Sequence, residues 1–111
     1  MIEYEVTSAG NGIGVIIPRG RVTAVSARRL KELVGELVAG GSPRVVVDMA
    51  ETTFLDSSGL GALIAGLKTA RQAGGDLRIA RPTEEVQLVL TLTNMDKVLR
   101  PRESVTEAFD A

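Results

Sequence analysis

Three consecutive β-branched residues, Val45-Val46-Val47, constrain this chain more than any other feature. No polar residue interrupts them, so neither face of the strand they form is left for water. A strand buried on both faces belongs inside a parallel sheet covered by helices. The flanking pattern agrees. Upstream, Ala27, Leu30, Leu33, Val34, Leu37 and Val38 recur at three- and four-residue spacings and predict an amphipathic helix over 27–39. Ser26 is placed to cap it, and Gly40-Gly41 and Pro43 to end it. Downstream, a second helix is expected over 59–73, stopped by Gly74-Gly75, then a strand at Leu77-Arg78-Ile79-Ala80. Pro82 and Thr83 open a third helix reaching about Thr93, and a short last helix is expected over 103–109.

At the other end, Ile2, Tyr4 and Val6 alternate with polar residues, and Gly10-Asn11-Gly12 is a strong turn signal before Ile13 to Pro18. This predicts a hairpin with strands near 2–8 and 12–19. The order β-β-α-β-α-β-α-(α) describes an α/β protein. It implies an about four-stranded, mostly parallel sheet with an antiparallel edge strand, flanked by three to four helices. No linker, repeat or low-complexity stretch divides residues 1–111, so one domain is expected.

Composition narrows the function. The chain has no Cys and no His, and 13 basic residues against 14 acidic ones. Thiolate chemistry, serine–histidine pairs and the commonest metal ligands are therefore absent. Near-neutrality gives no field that would gather nucleic acid or an anionic membrane. The apolar runs are too short to span a bilayer, and Met1-Ile2-Glu3-Tyr4-Glu5 does not resemble a secretory signal. The expectation is a cytoplasmic, non-enzymatic protein with no cofactor, no metal, no nucleic-acid partner and no membrane insertion. Gly10, Gly12 and Gly14 lie in the hairpin and lack dinucleotide-binding spacing, and no Walker-type run exists. Asp48, Glu51 and Asp56 are the acids near strand ends that could gather around a hard cation, although loop acids are usually solvated.

The most informative stretch is 45–61. A buried strand ends at Asp48, and a loop leads to Asp56-Ser57-Ser58-Gly59 at the start of a helix. Sites in parallel sheets gather at the carboxyl ends of strands. An acid or hydroxyl there can cap the helix. Two serines beside an acid exceed what one cap needs, which leaves room for a hydroxyl that another protein modifies. A phosphate there would meet the positive end of the helix dipole and add nearly two negative charges beside Asp56. Along the helix, Leu60, Leu63, Ile64 and Leu67 form the expected core face. Ala62, Ala65 and Thr69, with Gly61 and Gly66 nearby, form a strip of small residues rimmed by Lys68 and Gln72. That strip either packs closely within the domain or docks a partner. In the third helix, Val86, Val89 and Leu90 are expected inward, with Leu88 and Leu92 outward as a second contact surface.

Phe54-Leu55-Asp56-Ser57-Ser58-Gly59-Leu60-Gly61, preceded by Val45-Val46-Val47-Asp48, resembles the central motif of the STAS domain and, more narrowly, of bacterial anti-sigma factor antagonists. Gly20-Arg21-Val22-Thr23 is similar to the family's turn before the first helix. Gly74-Gly75-Asp76-Leu77 resembles its lead-in to the next strand, and Asn94-Met95-Asp96-Lys97-Val98 the segment after the third helix. The resemblance implies a STAS-like fold over 1–111. It implies Ser58 as phosphate acceptor, with Asp56, Ser57 and Gly59 as its surroundings and Thr23, Ala62, Ala65 and Thr69 at the partner-binding surface. It further implies that the unphosphorylated chain binds an ATP-dependent anti-sigma serine kinase and frees a sigma factor, and that phosphorylation ends the contact. A metal-dependent serine phosphatase resets it; ATP and magnesium belong to the kinase. The alternative within the same family is an accessory or scaffold subunit of a membrane transport or stressosome-like complex, with no essential phosphate cycle. One departure stands out: Thr23 occupies a position where the family commonly has an acid, with Arg19 and Arg21 close by. These arginines are either solvated surface groups or contacts for acidic partner groups.

Overall fold

The Asn-Gly turn forms as expected, with Asn11 and Gly12 both in the left-handed region (φ 55° and 74°). That geometry matches the twist of a two-residue hairpin. The computed structural model describes residues 2–109. β1 (Glu3–Gly10) and β2 (Ile13–Val22) pair antiparallel across this turn, from Glu3 opposite Arg19 to Gly10 opposite Ile13. The valine run becomes β3 (Arg44–Asp48), with Val45, Val46 and Val47 all buried. It runs parallel to β2 on one side and to β5 (Asp76–Ala80) on the other. The sheet order is β1-β2-β3-β5.

β2 is longer than β3, and its last residues pair parallel with β4 (Thr52–Leu55), so that Arg21 lies opposite Phe54 and Val22 opposite Leu55. β3 and β4 thus follow one another along the same side of β2. The residue pattern suggests a loop from Asp48 to Asp56 and about four strands. β4 makes a fifth. Its burial does not alternate, because Thr52 and Leu55 are inside and Thr53 and Phe54 outside, and the period-two signal is therefore missing.

Among the described residues four helices complete the fold: α1 (Ala24–Ala39), α2 (Ser57–Gln72), α3 (Glu84–Leu92) and α4 (Asp96–Leu99). The main core lies under α1 and α2 and joins Ile16, Val45, Val47 and Ile79 of the sheet to Leu30, Val34, Leu63 and Leu67. α1 starts three residues earlier than its periodicity indicates. Thr23 is its N-cap residue, and Ser26, expected as the cap, is buried within the first turn. There the Ser26 hydroxyl accepts the Thr23 N–H at 3.0 Å and donates to Arg21 O at 3.1 Å. The Tyr4 hydroxyl donates to Ser26 O at 3.0 Å, tying β1 to the same turn. Burial pushes the Tyr4 phenol above its ordinary value.

The C-terminal segment differs from expectation. The short helix is α4, one segment earlier than 103–109. Residues beyond it are drawn onto the sheet edge, where Arg102 N–H donates to Ile79 O at 3.0 Å and Arg81 N–H to Arg102 O at 2.7 Å. Val105, Ala108 and Phe109 then cover the face of the sheet opposite α1 and α2, packing with Val15, Val46 and Ala80. Docking of Ala108 and Phe109 wins over a seven-residue helix, which is too short to sustain itself. No helix among the described residues is long and apolar enough to cross a membrane.

Candidate functional site

The site is assembled where β2 and β4 end together. Both strands lead directly into helices, β2 through Thr23 into α1 and β4 through Asp56 into α2. The Asp56 N–H donates to Val22 O at 3.3 Å, so the two helix starts are tied through one carbonyl. Gly59 makes the approach possible. A Cβ at this position would lie 2.5 Å from Val22 O, 2.7 Å from Leu55 Cδ1 and 2.9 Å from Val22 Cγ1.

Within this corner Asp56 does the capping. Its Oδ1 accepts the Gly59 N–H at 2.8 Å, and its carbonyl accepts the Leu60 N–H at 2.9 Å. Ser57 and Ser58 occupy the first two helical positions, and both are exposed. Neither hydroxyl contributes to the cap. Asp56, Ser57, Ser58 and Gly59 are therefore brought together, with Thr23 half-buried at the neighbouring helix start.

The small-residue strip divides. Ala62 is 1% exposed and belongs to the core, which corrects its assignment to a solvent-facing surface. Ala62, Gly66 and Ala70 recur every fourth residue and are all buried, and a Cβ on Gly66 would lie 3.1 Å from Val34 of α1. Small side chains here let α2 settle against α1 and the sheet. Ala65 is half-buried and Thr69 exposed, the latter donating its hydroxyl to Ala65 O at 3.1 Å. Ile64, expected in the core, is 37% exposed. The open side of α2 therefore runs from Ser57 and Ser58 through Gly61 and Ile64 to Lys68. Gly61 has no atom within 4 Å of a Cβ built upon it. Gly61→Ala is accordingly expected to stabilise the chain by about 0.5–1 kcal/mol through helix propensity, as a urea titration would report.

The three acids considered for a cation do not form such a centre. Among the described residues no cluster of three or more potential ligands exists. Asp48 is buried and held by Arg81, whose Nε donates to Oδ1 at 3.0 Å. Glu51 and Glu5 both bind Arg19, at 3.0 and 2.7 Å. Asp56 is engaged in the cap. Both guanidinium groups are pushed above their ordinary value, Arg19 chiefly by its hydrogen bonds to Glu5 and then Glu51, Arg81 chiefly by its hydrogen bond to Asp48. They remain charged wherever the protein is folded.

Two features next to the serines were not singled out from the sequence. The Arg21 guanidinium carbon lies 4.3 Å from the centre of the Phe54 ring. Val25, in the first turn of α1, is 95% exposed. An apolar residue just inside a helix start, ahead of the periodic stripe, was the available signal for Val25. The Arg21–Phe54 contact depends on the pairing of β2 with β4, which periodicity does not reveal.

The sequence profile of the STAS domain matches residues 6–108. The chain belongs to the STAS domain family. Its relatives include the anti-sigma-F factor antagonist RsfB of Mycobacterium tuberculosis, 36% identical over 102 residues, which span 89% of this chain and 80% of RsfB. Among solved structures, an anti-sigma factor antagonist from Mycobacterium paratuberculosis superposes with a TM-score of 0.84 at 25% identity, covering 97% of this chain and 91% of that one. The anti-sigma factor antagonist SpoIIAA in its unphosphorylated form shares the fold, with a TM-score of 0.82 at 15% identity over 97% of this chain and 94% of its own. These relatives are regulatory proteins rather than enzymes. The expected α/β architecture holds among the described residues: β4 adds a fifth strand to the about four expected, the four helices fall within the three to four expected, and the edge strand is antiparallel with the remainder parallel.

Proposed function

We propose that this STAS domain is a phosphorylatable anti-sigma factor antagonist acting in the cytoplasm. Unphosphorylated, it binds an ATP-dependent anti-sigma serine kinase and frees the sigma factor; phosphorylation of Ser58 ends the interaction, and a serine phosphatase restores it. The observation that carries this reading is the division of labour at the start of α2. Asp56 alone satisfies the cap, which leaves the exposed Ser58 hydroxyl free for transfer.

The chemistry of a phosphate at this position supports a switch. The first N–H groups of a helix point outward and carry partial positive charge, so α2 tolerates the added anion and does not melt. The same phosphate stands beside the Asp56 carboxylate and on the open side of α2. A partner seated there would have to bury nearly two unpaired negative charges. Folding is preserved while docking is lost. The chain itself needs no general base, because the kinase supplies the chemistry.

The test is size-exclusion chromatography of the purified chain with the anti-sigma kinase encoded in the same genome. A stable complex should form before phosphorylation and dissolve as Ser58 is modified. If no complex forms with any such kinase, and Ser58→Ala is neutral in the cell, the accessory or scaffold reading replaces this one.

A further inference from the structure

Resting on that reading, we propose that Arg21 selects the partner, by receiving an acidic residue from the kinase's docking face.

The sequence places two arginines around Gly20, and the structure separates them. Arg19 is neutralised within the chain by Glu5 and Glu51. Arg21 makes no ion pair among the described residues. Two carboxylates of this corner are already engaged, Glu51 by Arg19 and Asp56 by the Gly59 N–H. The guanidinium of Arg21 instead lies over the Phe54 ring. A guanidinium held on an aromatic face keeps its edge N–H donors free, in the planar fork that suits a carboxylate.

The surroundings suit a protein surface. Phe54 is 38% exposed, and Val25 projects almost wholly into solvent. Ile2, Arg21, Thr23, Val25 and Ser26 line a shallow groove of about 200 Å³. The occupant is therefore the kinase docking face, carrying a carboxylate for Arg21 and an apolar hollow for Val25. Val22, which follows Arg21, accepts the Asp56 N–H through its carbonyl and so links this corner to the start of α2.

The arrangement also excludes partners. A docking face that presents a cation at this position would be repelled by Arg21. Discrimination of this kind arises from the mismatched charge as much as from the matched one.

Isothermal titration of the unphosphorylated full chain with its genomic kinase tests the proposal. Arg21→Gln should weaken binding roughly tenfold and Arg21→Glu roughly a hundredfold, whereas Lys97→Glu on α4 should stay within about twofold. Arg21 is exposed and loses only its contact with Phe54, so circular dichroism melting of both variants should stay within roughly 5 °C of the parent. Replacing the contacted acid of the kinase with lysine should restore affinity for Arg21→Glu. If the parent binds and Arg21→Glu binds equally well, the role given to Arg21 is overturned while the antagonist reading stands. If the parent itself does not bind, both fall.

Discussion

Gly59→Ala is expected to destabilise the chain by about 3 kcal/mol, lowering its thermal midpoint by on the order of 10 °C. The added Cβ would sit 2.5 Å from Val22 O, and that carbonyl cannot swing aside. It accepts the Asp56 N–H and lies at the end of β2, paired with β4. Relief requires α2 to retreat from the strands, which loosens Leu55 and Leu60 in the core. Alanine contributes up to about 1 kcal/mol of helix propensity, and the clash outweighs it. Gly61, two residues along the same helix and free of neighbours, supplies the opposite expectation. Urea titrations of both variants give a clear sign: Gly59→Ala below the parent and Gly61→Ala above it. Equal stability of Gly59→Ala and parent would mean that the two helix starts are not clamped together.

Ser58→Asp is expected to remove binding to the anti-sigma kinase while leaving the fold intact. The serine is exposed and makes no capping contact, so its replacement disturbs no internal bond. An acid at the second helical position interacts favourably with the helix dipole, by about 0.3–1 kcal/mol. At the interface the same charge meets Asp56 with no compensating cation brought in. A like-charge encounter of this kind costs several kcal/mol, or roughly a hundredfold or more in affinity. Titration calorimetry and a melting curve read the two effects separately. A variant that binds as tightly as the parent would show that charge is not the switch.

Much of this architecture was legible in the residues. The Asn-Gly turn, the valine run and the leucine periodicities each impose one local solution, and each formed. The surplus of hydroxyls over the cap at the start of α2 was legible in one dimension, and the structure gives that cap to Asp56 and leaves Ser57 and Ser58 exposed. β4 was not legible, since four residues with two adjacent exposed positions carry no strand period. Ala62 was misplaced because small residues satisfy a close helix seam and an open surface equally well; only the position of α1 decides between them. Ser26 was misread for a related reason. A serine at the first turn caps from outside or closes the turn from inside, and the Tyr4 and Arg21 contacts choose the second. The C-terminal helix failed because the docking of Ala108 and Phe109 on the sheet is a tertiary effect without a local signature.

Ser58 is the residue expected to carry the phosphate. Its most direct measurement is the intact mass of the parent and of Ser58→Ala after incubation with the genomic anti-sigma kinase and ATP, with the modified peptide sequenced by fragmentation. One phosphate is expected on the parent, located at Ser58, and none on Ser58→Ala although Ser57 remains beside it. Phosphorylation of Ser58→Ala to the same extent as the parent would contradict it.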